Sequence, residues 1–301
     1  MACLQIQKFK EESMDISIMT VSIPVDTDTL KEIQELIHYA FIEDQVDYAA
    51  LLSVDELSDT FLKGFCVLAY DDDTDKLVGV ISAIDRIATL DFEWSAVVLP
   101  SVRRQGIGEQ LIKELTRNLD LRGATEDIAL VPKASKAGQQ LISKFGYVHD
   151  FSERTMAADA VENEMISEIE ITPYSSEELE LIELLASAFG DTEEEARELI
   201  AFNTQTPNRN MMLALINKEV VGTVSIVEET EKLWVTGLAV HEKARGKGIA
   251  TSILNWSKNE AHRLGKAEVL LDVETDNEDA ISVYKKVGFK TINFTHFYRK
   301  G

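Results

Sequence analysis

Arg245, Gly246, Lys247 and Gly248 stand together in HEKARGKGIA, residues 241–250, where a helical periodicity begins at Ile249 and Ala250. Nearly the same arrangement, SVRRQGIG at residues 101–108, brings together Arg103, Arg104, Gln105, Gly106, Ile107 and Gly108. A helix start leaves its first N–H groups without intrahelical partners, and those donors together with the helix dipole favour an anion. Glycines remove Cβ atoms and let a bulky diphosphate approach the backbone. Arg245 and Lys247 add cationic contacts. Charge-assisted hydrogen bonds contribute about 1.5–3 kcal/mol each, so four or five of them hold a pyrophosphate firmly. Two familiar phosphate loops do not fit. The spacing and Gly-Lys-Ser/Thr ending of a P-loop are missing. The GxGxxG of a dinucleotide-binding βαβ unit is missing too, and a hairpin strand precedes the turn instead.

An internal repeat tells which elements must position these turns. Aligning Arg103 with Arg245 gives an offset of 142 residues (245 minus 103). The same offset pairs Gly106 with Gly248, Gly123 with Gly265, Lys144 with Lys286, Gly146 with Gly288, and Phe92 with Trp234. A period this long, occurring twice, means two copies of one domain. AADAVENEM, residues 157–165, is small and polar and reads as the linker, which predicts domains over 1–158 and 166–301. In the second copy, strands are expected over 166–171, 211–216, 220–227, 233–240, 267–273 and 289–298. SSEELELIELLASAF carries Leu179, Ile182, Leu185 and Ala186 at helical spacing, after a Ser/Glu start that resembles a capping box. Further helices are expected from Asp191, over 248–262, and over 280–287 with Gly288 as the stop. Leu238, Ala239 and Val240 close the strand before the second turn, as Val97 and Val98 do before the first. The first copy follows the same order, so the fold class is α+β, used twice.

The pattern Arg-x-x-Gly-x-Gly/Ala after a strand ending LAV is followed by NEDAISVYKKVGF, from Asn277 through Ala280, Ile281 and Tyr284 to Gly288 and Phe289. Both motifs, in this order, resemble the GCN5-related N-acetyltransferase (GNAT) family. Together with the repeat, the resemblance covers almost the whole chain, and the tandem layout resembles that of the mycothiol synthases. It implies two tandem GNAT domains, each a mixed, mostly antiparallel sheet flanked by helices. It implies acetyl-CoA as cofactor, with its pyrophosphate on the turn, its pantetheine along strand 233–240, and Asn277 alongside. The implied activity is direct transfer of an acetyl group to a primary amine of a small molecule. A protein N-terminus or lysine as acceptor, or a non-catalytic acyl-CoA-binding module, are the alternatives.

Such a transfer needs two proton movements. An amine with pKa near ~10.4 must shed a proton, and a departing thiolate, like a thiol with pKa about 8.5, is helped by a donor. Tyr284 stands where the family places its general acid. Asp272, five residues before Asn277, stands where relatives that acetylate ribosomal-protein N-termini carry a carboxylate that looks like the base; Glu228, Glu229 and Glu231 compete with it. In the first copy the offset turns Asn277 into Ser135, Tyr284 into Ile142 and Asp272 into Leu130. That copy is expected to be catalytically degenerate; its turn at 103–108 keeps the binding motif in full, and the copy either holds acetyl-CoA as a structural ligand or holds nothing and walls the substrate site.

Composition bounds the partners. Of 301 residues, 45% are hydrophobic and 28% charged, and the formal net charge is −23. That charge argues against nucleic acid and anionic lipid as partners and weakly favours a cationic acceptor. No apolar run is long enough to span a membrane, and the start, MACLQIQKFKEE, does not read as a signal peptide. Two cysteines, Cys3 and Cys66, suggest neither a disulfide framework nor a metal site, so a reducing, cytoplasmic setting is expected. The histidines are scattered without metal-ligand spacing, His241 precedes the turn, and YDDDTDK at 70–76 reads as a solvated hairpin turn. A monomer or homodimer is expected, the duplication standing in for the dimer of single-domain relatives.

Overall fold

Local signals start the helices. The computed structural model of the protein describes residues 14–86, 88–164, 168–175 and 178–301. In it Asp26 caps α1 (Thr27–Asp44) by accepting from the Asp28 and Thr29 N–H groups at 3.0 and 3.1 Å. The chain separates into two units.

The first unit comprises residues up to Leu130, Ser135–Tyr147 and Lys300–Gly301. It carries β1 (Ile16–Ser22), α1, α2 (Val54–Ser58), β2 (Lys63–Asp71), β3 (Lys76–Asp85), β4 (Asp91–Val98), α3 (Ile107–Arg122), most of β5 (Glu126–Pro132) and α4 (Lys136–Lys144). Its strands lie in the order β1-β2-β3-β4-β5, antiparallel except for the parallel β4–β5 pair. Ile33, Leu36 and Ala40 of α1 bury against Cys66, Leu68, Val80 and Val97. Cys66 is the buried core thiol its apolar run predicts, and burial pushes its pKa up to about 12, which keeps it unreactive. The turn at 72–75 joins β2 to β3, with Asp71 accepting from the Thr74 hydroxyl at 2.5 Å.

The second unit comprises Val131–Ala134 and Val148–Arg299. After nearly all of β6 (Tyr147–Asp159) come β7 (Glu170–Pro173), α5 (Glu178–Phe189), α6 (Glu193–Gln205), β8 (Arg209–Ile216), β9 (Glu219–Glu228) and β10 (Lys232–Val240). α7 (Ile249–Arg263), β11 (Glu268–Glu274), α8 (Glu278–Lys286) and β12 (Lys290–Lys300) complete it. Its strands lie in the order β12-β6-β11-β10-β9-β8-β7. β7 to β10 form an antiparallel meander, while β10 and β11 run parallel. One face buries Ile249 and Ile253 of α7 and Ile281 of α8 against Val224, Ile226, Leu233, Val269 and Leu271. The other buries Leu181, Leu185 and Ile200 of α5 and α6 against Met211, Leu213 and Ala239. Thr192 and Glu195 close a capping box at the start of α6.

Two readings change. Leu179, expected on the buried stripe of α5, is 78% exposed, and Leu181, Ile182, Leu184 and Leu185 are buried instead. Leu179 is the second residue of α5, and burial on that helix begins two residues later at Leu181. The expected start of that helix in a capping box, and the expected strand start at residues 166–167, lie outside the described residues; β7 begins at Glu170. The expected division at residue 158 also differs from the units, because β6 is counted with the second. β6 pairs antiparallel with the whole of β11, from Glu268↔Asp159 to Glu274↔Glu153, and Met156 joins the second unit's core at 0% exposure. The repeat identifies copies of sequence, but register identifies the sheet a strand joins. Met156→Ala should therefore destabilise the second unit by about 2–5 kcal/mol, seen as a lower urea midpoint. An unchanged midpoint would remove β6 from that core.

Candidate active site

β10 leads through a 3₁₀ turn, Glu242–Ala244, whose Ala244 is buried, into the glycine turn. Gly246 and Gly248 have φ +77° and +79°, the left-handed region that L side chains avoid. A Cβ added to Gly246 would meet nothing within 4 Å, so the requirement there is conformational and not steric. No side chain caps the start of α7, nor that of α3, so the first N–H groups of each lack an intrahelical or side-chain partner. Arg245 donates from Nε to the Val240 carbonyl at 3.3 Å, and among the described residues it has no carboxylate partner. His241 turns inward on its own turn, its Nδ1 accepting from the Lys243 N–H at 3.3 Å. Buried Lys258 of α7 donates to the Val287 carbonyl at 3.0 Å and so fixes the end of α8.

The first unit repeats this backbone. A 3₁₀ turn, Pro100–Val102, leads to Arg104 at φ +69° and Gly106 at φ +88°, and α3 follows. Arg104 thus occupies the position of Gly246 in a conformation that costs a non-glycine residue about 1–3 kcal/mol. Arg103 donates from Nε to the Val98 carbonyl at 2.9 Å, as Arg245 does to Val240. Its guanidinium then closes bidentately on Asp44 at 2.8 and 2.5 Å, and the Tyr48 hydroxyl donates to the same carboxylate at 2.8 Å. The Arg103 hydrogen bonds hold the Asp44 carboxyl below its ordinary pKa. The charge of Arg103 is therefore committed to α1, whereas that of Arg245 is not.

The larger difference lies in the strand before the turn. β10 pairs with β11 only at Lys232↔Glu268, Leu233↔Val269 and Trp234↔Leu270. Its register with β9 then slips between Thr236↔Ser225 and Ala239↔Thr223, one extra residue on β10, with Gly237 at φ +56°. This is a β-bulge, and it twists the strand away from its neighbour. Leu238, Ala239 and Val240 follow it without a β11 partner. Beside the bulge, the Ser225 hydroxyl is fully buried and makes no hydrogen bond; the buried indole N–H of Trp234 makes none either. In the first unit β3 and β4 keep unbroken register from Gly79↔Val98 to Ile84↔Glu93. Ser95 stands where Gly237 does, and its hydroxyl donates to the Leu130 carbonyl at 3.0 Å, tying β4 to β5. Val97 is buried against α1.

The two residues expected to move protons lie on opposite faces of β11. Leu271 and Val273 belong to the same buried cluster as Tyr284, so strand alternation turns Asp272 to the other face, with Glu274. Asp272 lies past the last β10–β11 pair and accepts from the Thr155 hydroxyl of β6 at 2.7 Å. Tyr284 is 9% exposed, its ring 6.2 Å from that of Phe289, and its hydroxyl has no hydrogen-bond partner among the described residues. Burial pushes its pKa above that of an ordinary phenol, so it holds its proton. Asn277 caps α8, its Oδ1 accepting from the Ala280 N–H at 3.1 Å. Ser135 does the same for Gly138 at 3.3 Å, so that position keeps its cap in the first unit. Glu228, Glu229 and Glu231 flank the β9–β10 hairpin, at the end of β10 that is still paired with β11 and away from the divergence.

Thr155 and Ser225 were not singled out from sequence. A glycine inside a strand, as in VTGLAV, was a readable bulge signal at Gly237; nothing local marks a threonine from a distant strand.

Comparison with known proteins now adds to this geometry. Residues 176–289 match the Acetyltransferase (GNAT) family model, and residues 63–149 match an Acetyltransferase (GNAT) domain model. This chain belongs to the GNAT family. It carries two GNAT domains in tandem, and the bulged strand, turn and α8 of the second all lie within the first-named match. N-alpha-acetyltransferase 30 of Schizosaccharomyces pombe is 33% identical over 82 residues, 26% of this chain and 55% of the relative. An N-alpha-acetyltransferase of Sulfurisphaera tokodaii is 39% identical over 69 residues, 22% of this chain and 41% of the relative. The chain thus spans about half the length of these curated relatives, or less. Among solved structures, a GCN5-related N-acetyltransferase from Sphaerobacter thermophilus superposes with TM-score 0.71 at 20% identity, covering 94% of this chain and 95% of that one. A tandem GNAT protein from the clavulanic acid biosynthesis pathway superposes with TM-score 0.66 at 14% identity, covering 95% and 99%. These two share the fold.

The paired turns make a stability prediction. Gly246→Ala should cost about 1 kcal/mol through backbone strain alone, whereas Arg104→Gly should stabilise its turn by up to about 1 kcal/mol. Denaturant unfolding of both variants checks this, and a loss of stability in Arg104→Gly would contradict the equivalence of the two turns.

Proposed function

We propose that this GNAT protein transfers the acetyl group of acetyl-CoA to a primary amine, by direct transfer in a ternary complex, using the second unit alone. One observation carries the reading: the bulge at Gly237 and the divergence of β10 from β11 stand directly before an uncapped glycine turn, in the unit that also retains Tyr284 and Asp272. The residues suit acetyl-CoA. Left-handed glycines at 246 and 248, uncapped N–H groups, and the side chains of Arg245 and Lys247 would hold its diphosphate. The backbone of Leu238 and Ala239 on the side that lacks a β11 partner would take the pantetheine amides, and the amide group of Asn277 adds a donor. Bound acetyl-CoA supplies the activated acetyl thioester.

Tyr284 holds a proton at its hydroxyl on one face of β11, in a buried setting that keeps it neutral through the physiological range. Asp272 offers a carboxylate on the opposite face, oriented by Thr155, as acceptor for the amine proton. Donor and acceptor are separated by the sheet, which keeps the two proton movements from short-circuiting. The first unit lacks the bulge, is tied at Ser95 and Leu130, and has Ile142 in place of Tyr284; we read it as non-catalytic.

A small-molecule amine is the first reading of the acceptor. A protein N-terminus is the second, favoured by the identity to two N-alpha-acetyltransferases. Thiol release from acetyl-CoA, assayed with small amines and with short peptides bearing a free α-amine, separates them; binding without release for every amine would leave only an acyl-CoA-binding module. Tyr284→Phe should lower turnover about 10²-fold with little change in acetyl-CoA affinity, and Asp272→Asn should abolish the acidic limb of the pH–rate profile. Unchanged turnover in Tyr284→Phe would remove the phenol from the reaction.

A further inference from the structure

Along α8 lies a groove that the acetyl-transfer reading does not use. Ala280 and Val283 pack toward the buried cluster of α7 and the sheet, while Glu278, Ser282, Lys285 and Lys286 line the groove with Ile281. Arg154 of β6 closes it, and the cavity measures about 540 Å³. Arg154 stands directly across from Val273 on β11, on the helix-bearing face of the sheet. Its guanidinium lies over the Phe294 ring at 5.3 Å, a planar support that fixes its direction. Its Nε is buried and makes no hydrogen bond. Among the described residues neither Arg154 nor Lys285 nor Lys286 has a carboxylate partner. That is unexpected for a chain with 53 acidic residues against 30 lysines and arginines.

We propose that this groove binds the phosphate group of a small phosphorylated ligand. Arg154, Lys285 and Lys286 present three positive charges, and a phosphate would supply the acceptor that the orphaned Arg154 donor lacks. Ser282 adds a hydroxyl. The cavity is larger than a phosphate needs. Glu278 stands among its lining as an acceptor for hydroxyl groups, and the mostly buried Ile281 touches its floor. A phosphorylated polyol has these parts. The site is separate from the glycine turn, so it does not depend on acetyl transfer.

The test uses the full chain saturated with CoA, which occupies the turn, and follows backbone amide resonances while glucose 6-phosphate is added. Saturable shifts at Ser282, Lys285 and Lys286, absent with glucose, are expected. The exposed double variant Lys285→Gln/Lys286→Gln should weaken this binding about ten-fold or more, as loss of charge-assisted contacts predicts. The Gly246–Ile249 resonances should keep their CoA-bound positions in the variant, which shows that fold and turn are intact. No saturable shift at α8, an equal shift with glucose, or undiminished binding by the double variant would overturn the proposal. So would shifts that appear only without CoA, since the groove would then belong to the cofactor's path.

Discussion

The parallel pairing of β10 with β11 lasts three residue pairs and then ends, and the candidate site depends on that ending. Two parallel strands that stay paired use up their N–H and C=O groups on each other. A bulge at Gly237 changes the register on the β9 side, and the groups of Leu238 to Val240 that face β11 are released. A released backbone in a sheet interior is costly unless water or a ligand takes its place. The buried, unbonded Ser225 hydroxyl and Trp234 N–H beside the same stretch carry a similar cost. The structure therefore keeps several unsatisfied polar groups together at one place, immediately before a helix start that also lacks a cap. The start of α3 lacks a side-chain cap as well, so it is the bulge and the buried, unbonded groups beside it that separate the second unit from the first.

The two units show which parts of a binding device persist without the rest. Both keep the 3₁₀ turn, two left-handed residues and a helix, although the first must force Arg104 into that conformation. Both keep an N-cap at the equivalent of Asn277. These features fold the chain at the corner between strand and helix, so they have a structural use without a ligand. The bulge has no such use, whereas the parallel pairing ends early in both units, after four pairs between β4 and β5 and three between β10 and β11. In the first unit a serine hydroxyl bridges β4 to β5, and Arg103 turns its charge to Asp44. Corner geometry shared by both units is thus weak grounds for binding, and the bulge, which only the second unit's strand carries, is stronger grounds.

Much of this was legible in the sequence, because it rested on local signals. Alternation and turn residues located β8 to β12 to within two or three residues, and glycines at 246, 248 and 288 marked the corners. Cys66 read as a core thiol from its apolar neighbours. The rest depended on contacts between distant residues. β6 joins the sheet through its register with β11, and no pattern within 147–159 encodes that choice. Thr155 meets Asp272 across 117 residues, for the same reason. Leu179 fitted the helical spacing but stands at the exposed end of α5, two residues before burial begins at Leu181, and periodicity alone does not say where packing starts. The opposite orientation of Asp272 and Tyr284 needed the core to be known, since it follows from Leu271 and Val273 being buried with the tyrosine.

Net charge is a poor guide to what such a protein can bind. At −23 the chain as a whole repels anions. Yet at physiological salt the Debye length is about 8 Å, so acids a few screening lengths away contribute little to the potential at a given site. What matters is the immediate neighbourhood. The exposed acids at the start of α6, Glu193, Glu194 and Glu195, lie in its first turn, where the helix dipole and the capping box make use of them. Among the described residues, Arg245 and Lys247 stand at a helix start with no carboxylate partner, and Arg154, Lys285 and Lys286 line one groove in the same condition. A distribution of this kind keeps a strongly acidic surface soluble while leaving small basic patches able to hold anionic groups. The acidic remainder then disfavours extended polyanions, which must lie across more than one patch, without excluding a diphosphate or a phosphate ester that fits inside a single one.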